Sequence, residues 1–284
     1  MKESNTRVFP KVSHHFPATG STNDLAVAAL SSPHPPAHGA VFITDDQSAG
    51  RGQGTNAWHS SPYANLTFSL VTRPSHLTVG QVFALSQVAA LAVAQTVDAF
   101  LGPTHRTRAS AKLVPHHIGS SAQNLDGISV KWPNDVYVGK RKIAGILIQN
   151  GLRGSALDWS VIGIGLNVNE TDFPSELKAT ATSLRALTST TFDLGTVLKQ
   201  LLTDLANQYE KMSSSAGLAL LDRNYEDRLY RRGVPSEFRH VATGKVFTGV
   251  IEGVNDRGQL VVRMAGGRAS AFDLREVRLL VSSR

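Results

Sequence analysis

Hydrophobic and polar positions change period several times along the chain, and each change marks an element. Residues 12–16 suit a short strand, and GSTND at 20–24 precedes an apolar run over 25–30. That junction reads as a helix start, with Ser21, Thr22 or Asn23 able to cap it. Residues 40–44 read as a buried strand, and 65–71 alternate as a half-buried one. Residues 82–101 are the most apolar stretch, yet they hold Ser86, Gln87, Gln95, Thr96 and Asp98. Such polar interruptions fit a core helix and not a membrane span. A strand ends at Lys131-Trp132, Pro133 stops it, and Asn134-Asp135 turn the chain. Residues 136–138 then pair with 143–148 as a hairpin about 139–141, and 158–167 form a further strand. Two amphipathic helices follow, over 195–212 and 216–230. From Val234 the pattern becomes short β runs between turns, which predicts a small barrel.

Composition narrows the class. The 284 residues allow one large domain plus a small appendage, and 41% hydrophobic against 18% charged is a globular balance. The expected division is 1–233 and 234–284. With no cysteine, disulfides and thiolate metal sites are excluded. The stretch MKESNTRVFPKV has no apolar h-region, so no signal peptide is expected and the expected location is cytoplasmic. Residues 103–124 are polar and aperiodic, an insertion loop. Its His105, His116 and His117 have no nearby carboxylate in sequence, so no metal site is assigned. The net charge is +7, of which 223–284 contribute +5 through 12 Lys/Arg against 7 Asp/Glu. No Lys/Arg run or aromatic-interleaved basic helix accompanies it, which leaves little for a nucleic-acid module.

The chemistry concentrates at two places. In DQSAGRGQGTNAW (46–58) the glycines Gly50, Gly52 and Gly54 alternate with Arg51 and Gln53. Glycines so spaced let backbone N–H groups approach a ligand, Arg51 adds a fork for carboxylate or phosphate oxygens, and Trp58 adds a flat apolar wall. Neither the P-loop spacing nor Gly-x-Gly-x-x-Gly is present. In SVKWPNDVYVGKRKIAGILIQN (129–150) Lys131 and Lys142 supply cations and Gly145 permits close approach. Gly163 and Gly165 leave space beside a bound group, and Asn167 is a polar strand terminus. Ser21, Thr22 and Asn23 exceed what one cap needs and offer a neutral donor and acceptor surface.

STN at 21–23, DQxxGRG at 46–52, Trp58, KWPND at 131–135, KIAGIL at 142–147 and GIGLNVN at 163–169 stand in the order and spacing of biotin protein ligases, which the chain resembles over about 12–284. The resemblance is to the short form, without an N-terminal DNA-binding domain. It implies an α+β fold, a mixed sheet flanked by helices with a small C-terminal SH3-like barrel. It also implies activation of biotin by ATP and Mg2+ to biotinoyl-5′-AMP, then transfer to one lysine of a biotin carboxyl carrier domain, with no membrane. A homodimer is compatible with it. Ser21, Thr22, Asn23, Gln47, Gly50, Arg51, Gly52, Gln53, Lys142 and Gly145 are then biotin-side residues. Trp58, Lys131, Asn134 and Asn167 are nucleotide-side, with Asp135 a weaker candidate beside its turn role, and Lys142 and Arg51 carry the chemistry. Gln53 and Asn56 stand where many bacterial members carry arginine, which bears on how the loop retains an acyl-adenylate. Lipoate–protein ligases share the adenylation logic but not KWPND or the GRG loop.

Overall fold

The computed structural model describes residues 13–54, 56–102, 127–154 and 156–280. The insertion at 103–124 lies outside the described residues. Seven strands form one mixed sheet: β1 (His14–Phe16), β2 (Val41–Thr44), β3 (Leu66–Thr72), β4 (Ile128–Lys131), β5 (Asp135–Val138), β6 (Arg141–Arg153) and β7 (Ala156–Leu166). Their order is β1-β2-β3-β7-β6-β5-β4, with β1 parallel to β2 and the other pairs antiparallel. The α-helices among the described residues are α1 (Thr22–Leu30), α2 (Phe83–Leu101), α3 (Leu184–Thr188), α4 (Leu194–Glu210) and α5 (Ser215–Asp227).

Helices cover both faces, and this corrects the half-buried expectation for β3, which is buried at all seven positions. Leu66, Phe68 and Leu70 join the large core under α2, α4 and α5, while Val71 packs with Ala26 of α1 on the opposite face. The hairpin of β6 and β7 also runs longer than expected, because Leu152 pairs with Leu157 and Arg153 with Ala156 beyond the apolar stretch.

α2 with its leading turn, Val79–Leu101, is long and apolar enough to cross a membrane by length and composition, but 67% of its apolar window is buried inside the protein. Its polar residues explain why it sits here. Gln87 Nε2 donates to Asp222 of α5 (2.8 Å), Thr96 Oγ1 to the buried Asp204 of α4 (2.7 Å), and Gln208 Nε2 of α4 to Gln95 (3.0 Å). Buried polar groups need such partners, and these three clasp the helix layer together.

From Pro235 onward the chain forms a five-stranded antiparallel sheet: β8 (Pro235–His240), β9 (Val246–Val254), β10 (Leu260–Met264), β11 (Ala269–Phe272) and β12 (Val277–Leu279). Its order is β11-β10-β9-β8-β12. Its apolar side is continuous with the main core through Phe238, Ile251, Leu260 and Val262. Trp132 Nε1 donates to Gly258 O (2.9 Å), and buried Tyr225 donates to Pro133 O (2.8 Å). The second sheet and α5 therefore brace the turn between β4 and β5.

Candidate active site

Alternation along the central strands sorts the site from the core. Ala144 and Ile146 of β6, Ile162, Ile164 and Leu166 of β7, and Val136 and Val138 of β5 point into the main core. Their sequence neighbours Gly145, Leu147, Gly163, Gly165 and Asp135 therefore face the α1 side, beside Thr67 and Ser69 of β3. A β-bulge moves Lys142 onto this side as well. The register shifts between Val136, which pairs with Ala144, and Tyr137, which pairs with Lys142. Ile143 and Ala144, adjacent in sequence, are both fully buried in the core. One extra residue of this kind reverses the facing of everything before it, so Lys142 leaves the core side.

The floor is made by paired glycines. Gly145 lies opposite Gly165 across β6 and β7, and the Trp58 indole rests on the pair. A Cβ on Gly165 would stand 2.2 Å from Trp58 Cε2, and one on Gly163 would stand 2.1 Å from Asn23 Oδ1. The protein's own indole and amide thus take the room a Cβ would need, and both glycines line the cavity beside them. Trp58 Nε1 is buried with no hydrogen-bond partner among the described residues, a donor left for something else to satisfy. Lys142 Nζ sits 2.7 Å from Asp135 and 5.6 Å from the Trp58 ring centroid.

At the α1 end Ser21 is the helix cap, accepting from Asp24 N–H at 3.3 Å. Thr22 and Asn23 lie inside the first turn, both buried. Gln47 Oε1 accepts the Thr22 N–H at 2.9 Å. Asn23 spends both ends of its amide on the protein: Nδ2 donates to Leu147 O (3.2 Å), and Oδ1 accepts from Ser69 Oγ (2.5 Å).

The glycine loop closes as a small hairpin. Gly52 N–H donates to Asn56 O (2.7 Å) and Trp58 N–H to Gly50 O (2.9 Å), so these amides serve the loop itself. Gly50 is required by contact, since a Cβ there would lie 2.5 Å from Trp58 O. The Arg51 guanidinium, half-exposed, pairs with Asp24 in the first turn of α1.

One cavity of about 820 Å3 joins these parts. Of the residues singled out in the sequence, Ser21, Thr22, Asn23, Gln47, Arg51, Gly52, Gln53, Trp58, Lys131, Asn134, Lys142 and Gly145 line it. Gly50 and Asn167 are not among its lining residues. Asn167 instead ties the end of β7 to the next segment, its N–H on Ile143 O (2.9 Å) and its Nδ2 on Thr182 O (3.0 Å). Asn134 Nδ2 is held by Ile146 O. Lys131 stands 5.8 Å from the Tyr137 ring centroid. Burial, with the neighbouring charges of Lys142 and Arg278, pushes its ammonium below the ordinary lysine range against the opposing pull of Asp135. One end of the cavity is therefore neutral and hydrogen-bonding, and the other is cationic.

Residues 16–167, more than half of the chain, match the model of the Biotin/lipoate A/B protein ligase family. The chain belongs to this family. It is similar to the biotin--[acetyl-CoA-carboxylase] ligase of Mycobacterium tuberculosis, 30% identical over 251 residues that cover 87% of this chain and 82% of the relative. It is 28% identical over 231 residues to the bifunctional ligase/repressor BirA of Bacillus spizizenii, covering 81% of this chain but 63% of that relative's length. The fold is like that of the biotin protein ligase from Aquifex aeolicus in complex with biotin and ATP (TM-score 0.70, 22% identity, 95% of this chain and 100% of that one).

Several lining residues of this family member gave no sign in the sequence. Arg275 and Arg278 come from the second sheet's last segment, as do Leu274 and Leu279. Asp135, by contrast, reads as a turn residue and a weaker nucleotide-side candidate, and it is the bulge that brings Lys142 beside it. Ser69, behind the lining, reads as the polar half of an alternating strand, and only the second covered face makes it an interior hydroxyl.

Proposed function

We propose that the protein is a biotin–protein ligase, joining biotin to ATP and then to a lysine of a biotin carboxyl carrier domain. The observation that carries this reading is one cavity with a neutral hydrogen-bonding end at Ser21, Thr22 and Gln47 and a cationic end at Lys142 and Lys131. A bicyclic urea with a carboxylate tail matches that polarity, and a nucleoside triphosphate matches the cationic end. In the first step a biotin carboxylate oxygen attacks the α-phosphorus and the bond to the β-phosphate bridging oxygen breaks, releasing pyrophosphate. In the second, the carrier's lysine amine attacks the acyl carbon, AMP leaves, and the amine gives up a proton.

Bringing two anions together needs fixed positive charge already in place. Lys142, steadied by Asp135, supplies it at the reacting atoms. Lys131, with Arg275 and Arg278 from the second sheet, faces the outer phosphates, and Trp58 forms the wall for the adenylate. Arg51 exchanges Asp24 for the ligand as the glycine loop closes, which keeps water from the acyl-adenylate. Among the described residues Asp135 is the one carboxylate lining the cavity, and no group of three His, Cys, Asp or Glu that could hold a metal occurs. That donor set fits a magnesium ion brought in on the triphosphate, with Asp135 as its protein ligand and not a protein cage. When bound, such an ion neutralises triphosphate charge. Residues 234–284 act as a second, SH3-like domain beside the catalytic unit 1–233. A cytoplasmic location, where ATP is supplied, completes this reading.

The test is pyrophosphate exchange into ATP. It is expected to need biotin and magnesium and no acceptor, and an acceptor domain should then gain the mass of one biotin. Exchange driven by lipoate and not by biotin would move the assignment to the other branch of the family.

A further inference from the structure

We infer that Ser69 is a specificity-determining positioning residue: it fixes the Thr22 hydroxyl as an acceptor and so selects a ligand that presents N–H to Thr22 and C=O to Gln47. Ser69 touches no ligand position, being fully buried in the middle of β3. Its effect passes through a chain of hydrogen bonds whose direction is set at one end by a backbone carbonyl. Leu147 O can only accept, so the Asn23 group facing it at 3.2 Å must be the Nδ2 amino end. Asn23 Oδ1 is then turned toward Ser69 and can only accept, and the 2.5 Å contact uses the single Ser69 hydroxyl hydrogen. Toward Thr22 Oγ1, 2.8 Å away, Ser69 can now only accept, so the Thr22 hydrogen goes to Ser69.

What remains of Thr22 is lone pairs. Its 3.3 Å approach to Gln47 Oε1 carries no hydrogen, and Gln47 Oε1 takes the Thr22 N–H instead, at 2.9 Å. That contact fixes the Gln47 amide in turn, leaving Nε2 as its donor. Ser21 Oγ accepts from Asp24 N–H and so keeps its own hydrogen to donate. The cavity end thus offers Thr22 as an acceptor for an N–H, and Ser21 and Gln47 as donors for a C=O. Gly163 is part of the device, because a Cβ there would displace the Asn23 amide on which the polarity depends.

This inference rests on the biotin reading above, in which the ligand group is a cyclic urea. Binding of biotin and of its two cyclic carbamate analogues, each with one urea N–H replaced by oxygen, tests it by calorimetry. The wild type is expected to reject the more disfavoured carbamate by ~10²-fold or more, since a site built to accept an N–H leaves facing lone pairs unpaired when it is absent. In Ser69→Ala the Thr22 hydroxyl is free to turn and donate, and the ratio of carbamate to biotin dissociation constants should fall about tenfold or more. Ser69→Cys, close in volume and weaker in both bonds, should move the same ratio the same way by less, and serves if the alanine variant does not fold. Equal weakening of both ligands, with the ratio unchanged in whichever variant folds, would show a merely structural serine and overturn the inference. A wild type that binds biotin but does not discriminate overturns it too. A wild type with no biotin binding overturns the function itself, an outcome recognisable without any variant.

Discussion

Gly165→Ala converts the geometry of the floor into a measurable effect. The added Cβ would lie 2.2 Å from Trp58 Cε2 and 2.5 Å from Cζ2 and Nε1. Carbon atoms rest at about 3.5–4.0 Å, so the indole must retreat by more than ~1 Å. It cannot retreat toward the sheet, on whose Gly145–Gly165 pair it already rests. The ring must lift off the sheet into the cavity, into volume assigned above to the nucleotide. Overpacking of this kind costs about 1–3 kcal/mol. If that cost is released by the lifted indole and charged to nucleotide binding, the ATP KM rises between about fivefold and 150-fold. The neutral end sits over Gly163, two residues along β7, so the biotin KM should move much less. Pyrophosphate exchange with each substrate varied at saturation of the other gives both constants, and a thermal melt reports any cost taken by the fold instead. An ATP KM and melting temperature both at wild-type values, or equal rises in the two KM values, would refute the placement of Trp58 as nucleotide wall.

Lys142→Ala should slow adenylate formation by on the order of 10²–10³, as removal of one preorganised charge does, while Arg51→Ala should chiefly shorten retention of the adenylate, read by its release into solution. Equal loss of adenylation in both with retention unchanged would refute that division. Burial pushes Glu170 upward, but hydrogen bonds from Ser61, Asp172 and Asn65 outweigh it and hold the carboxyl below the usual range. A carboxyl lower in the folded than in the unfolded chain stabilises above its unfolded value, and this is lost as pH falls through the folded one. Glu170→Gln should therefore cost about 1–3 kcal/mol at neutral pH and flatten the acid limb of a melting profile, whereas an unchanged profile would remove Glu170 from acid stability. Charge reversal at exposed Arg257 and Arg268 of the second sheet should flatten the salt dependence of transfer to an acidic carrier domain and leave pyrophosphate exchange alone, and a wild-type salt profile would remove that sheet from carrier recruitment.

Most of the element order was legible because period carries it. β3 was legible as a strand but not as a two-faced one, since Thr67 and Ser69 look like solvent positions until α1 is known to lie over them. The glycines at 163 and 165 announced close approach, but the partner proved to be Asn23 and Trp58, from 140 and 107 positions upstream, which spacing along one strand cannot reveal. Lys142 was legible as a cation near Gly145, yet strict alternation from buried Ala144 would have aimed it into the core. The bulge that corrects this is a property of the pairing with β5 and has no local signature. Arg275 and Arg278 were invisible for a related reason. Their role depends on how the second sheet docks, through contacts such as Trp132 to Gly258 that join residues 126 apart.

The two ends of the cavity are built from interactions of different stiffness, and that difference has a functional consequence. Ser69, Thr22 and Asn23 are buried, and their bonds form a closed sequence that would leave polar groups unsatisfied if rearranged. Arg51 and Asp24, beside the start of α1, are each about half exposed, a pair of a kind that contributes little and is easily exchanged. Lys142 and Asp135 are about 30% exposed and occupy the middle ground. Under the proposed reaction, a urea must match a rigid template before anything else happens, whereas anionic groups need only displace carboxylates that already hold the cations in place. Selection is then made on the neutral head of the small substrate, and the charged end is left free to follow the reaction as carboxylate and triphosphate become acyl-adenylate and pyrophosphate. A rigid charged end would have to fit both sets of anions equally, and one made of exchangeable ion pairs does not.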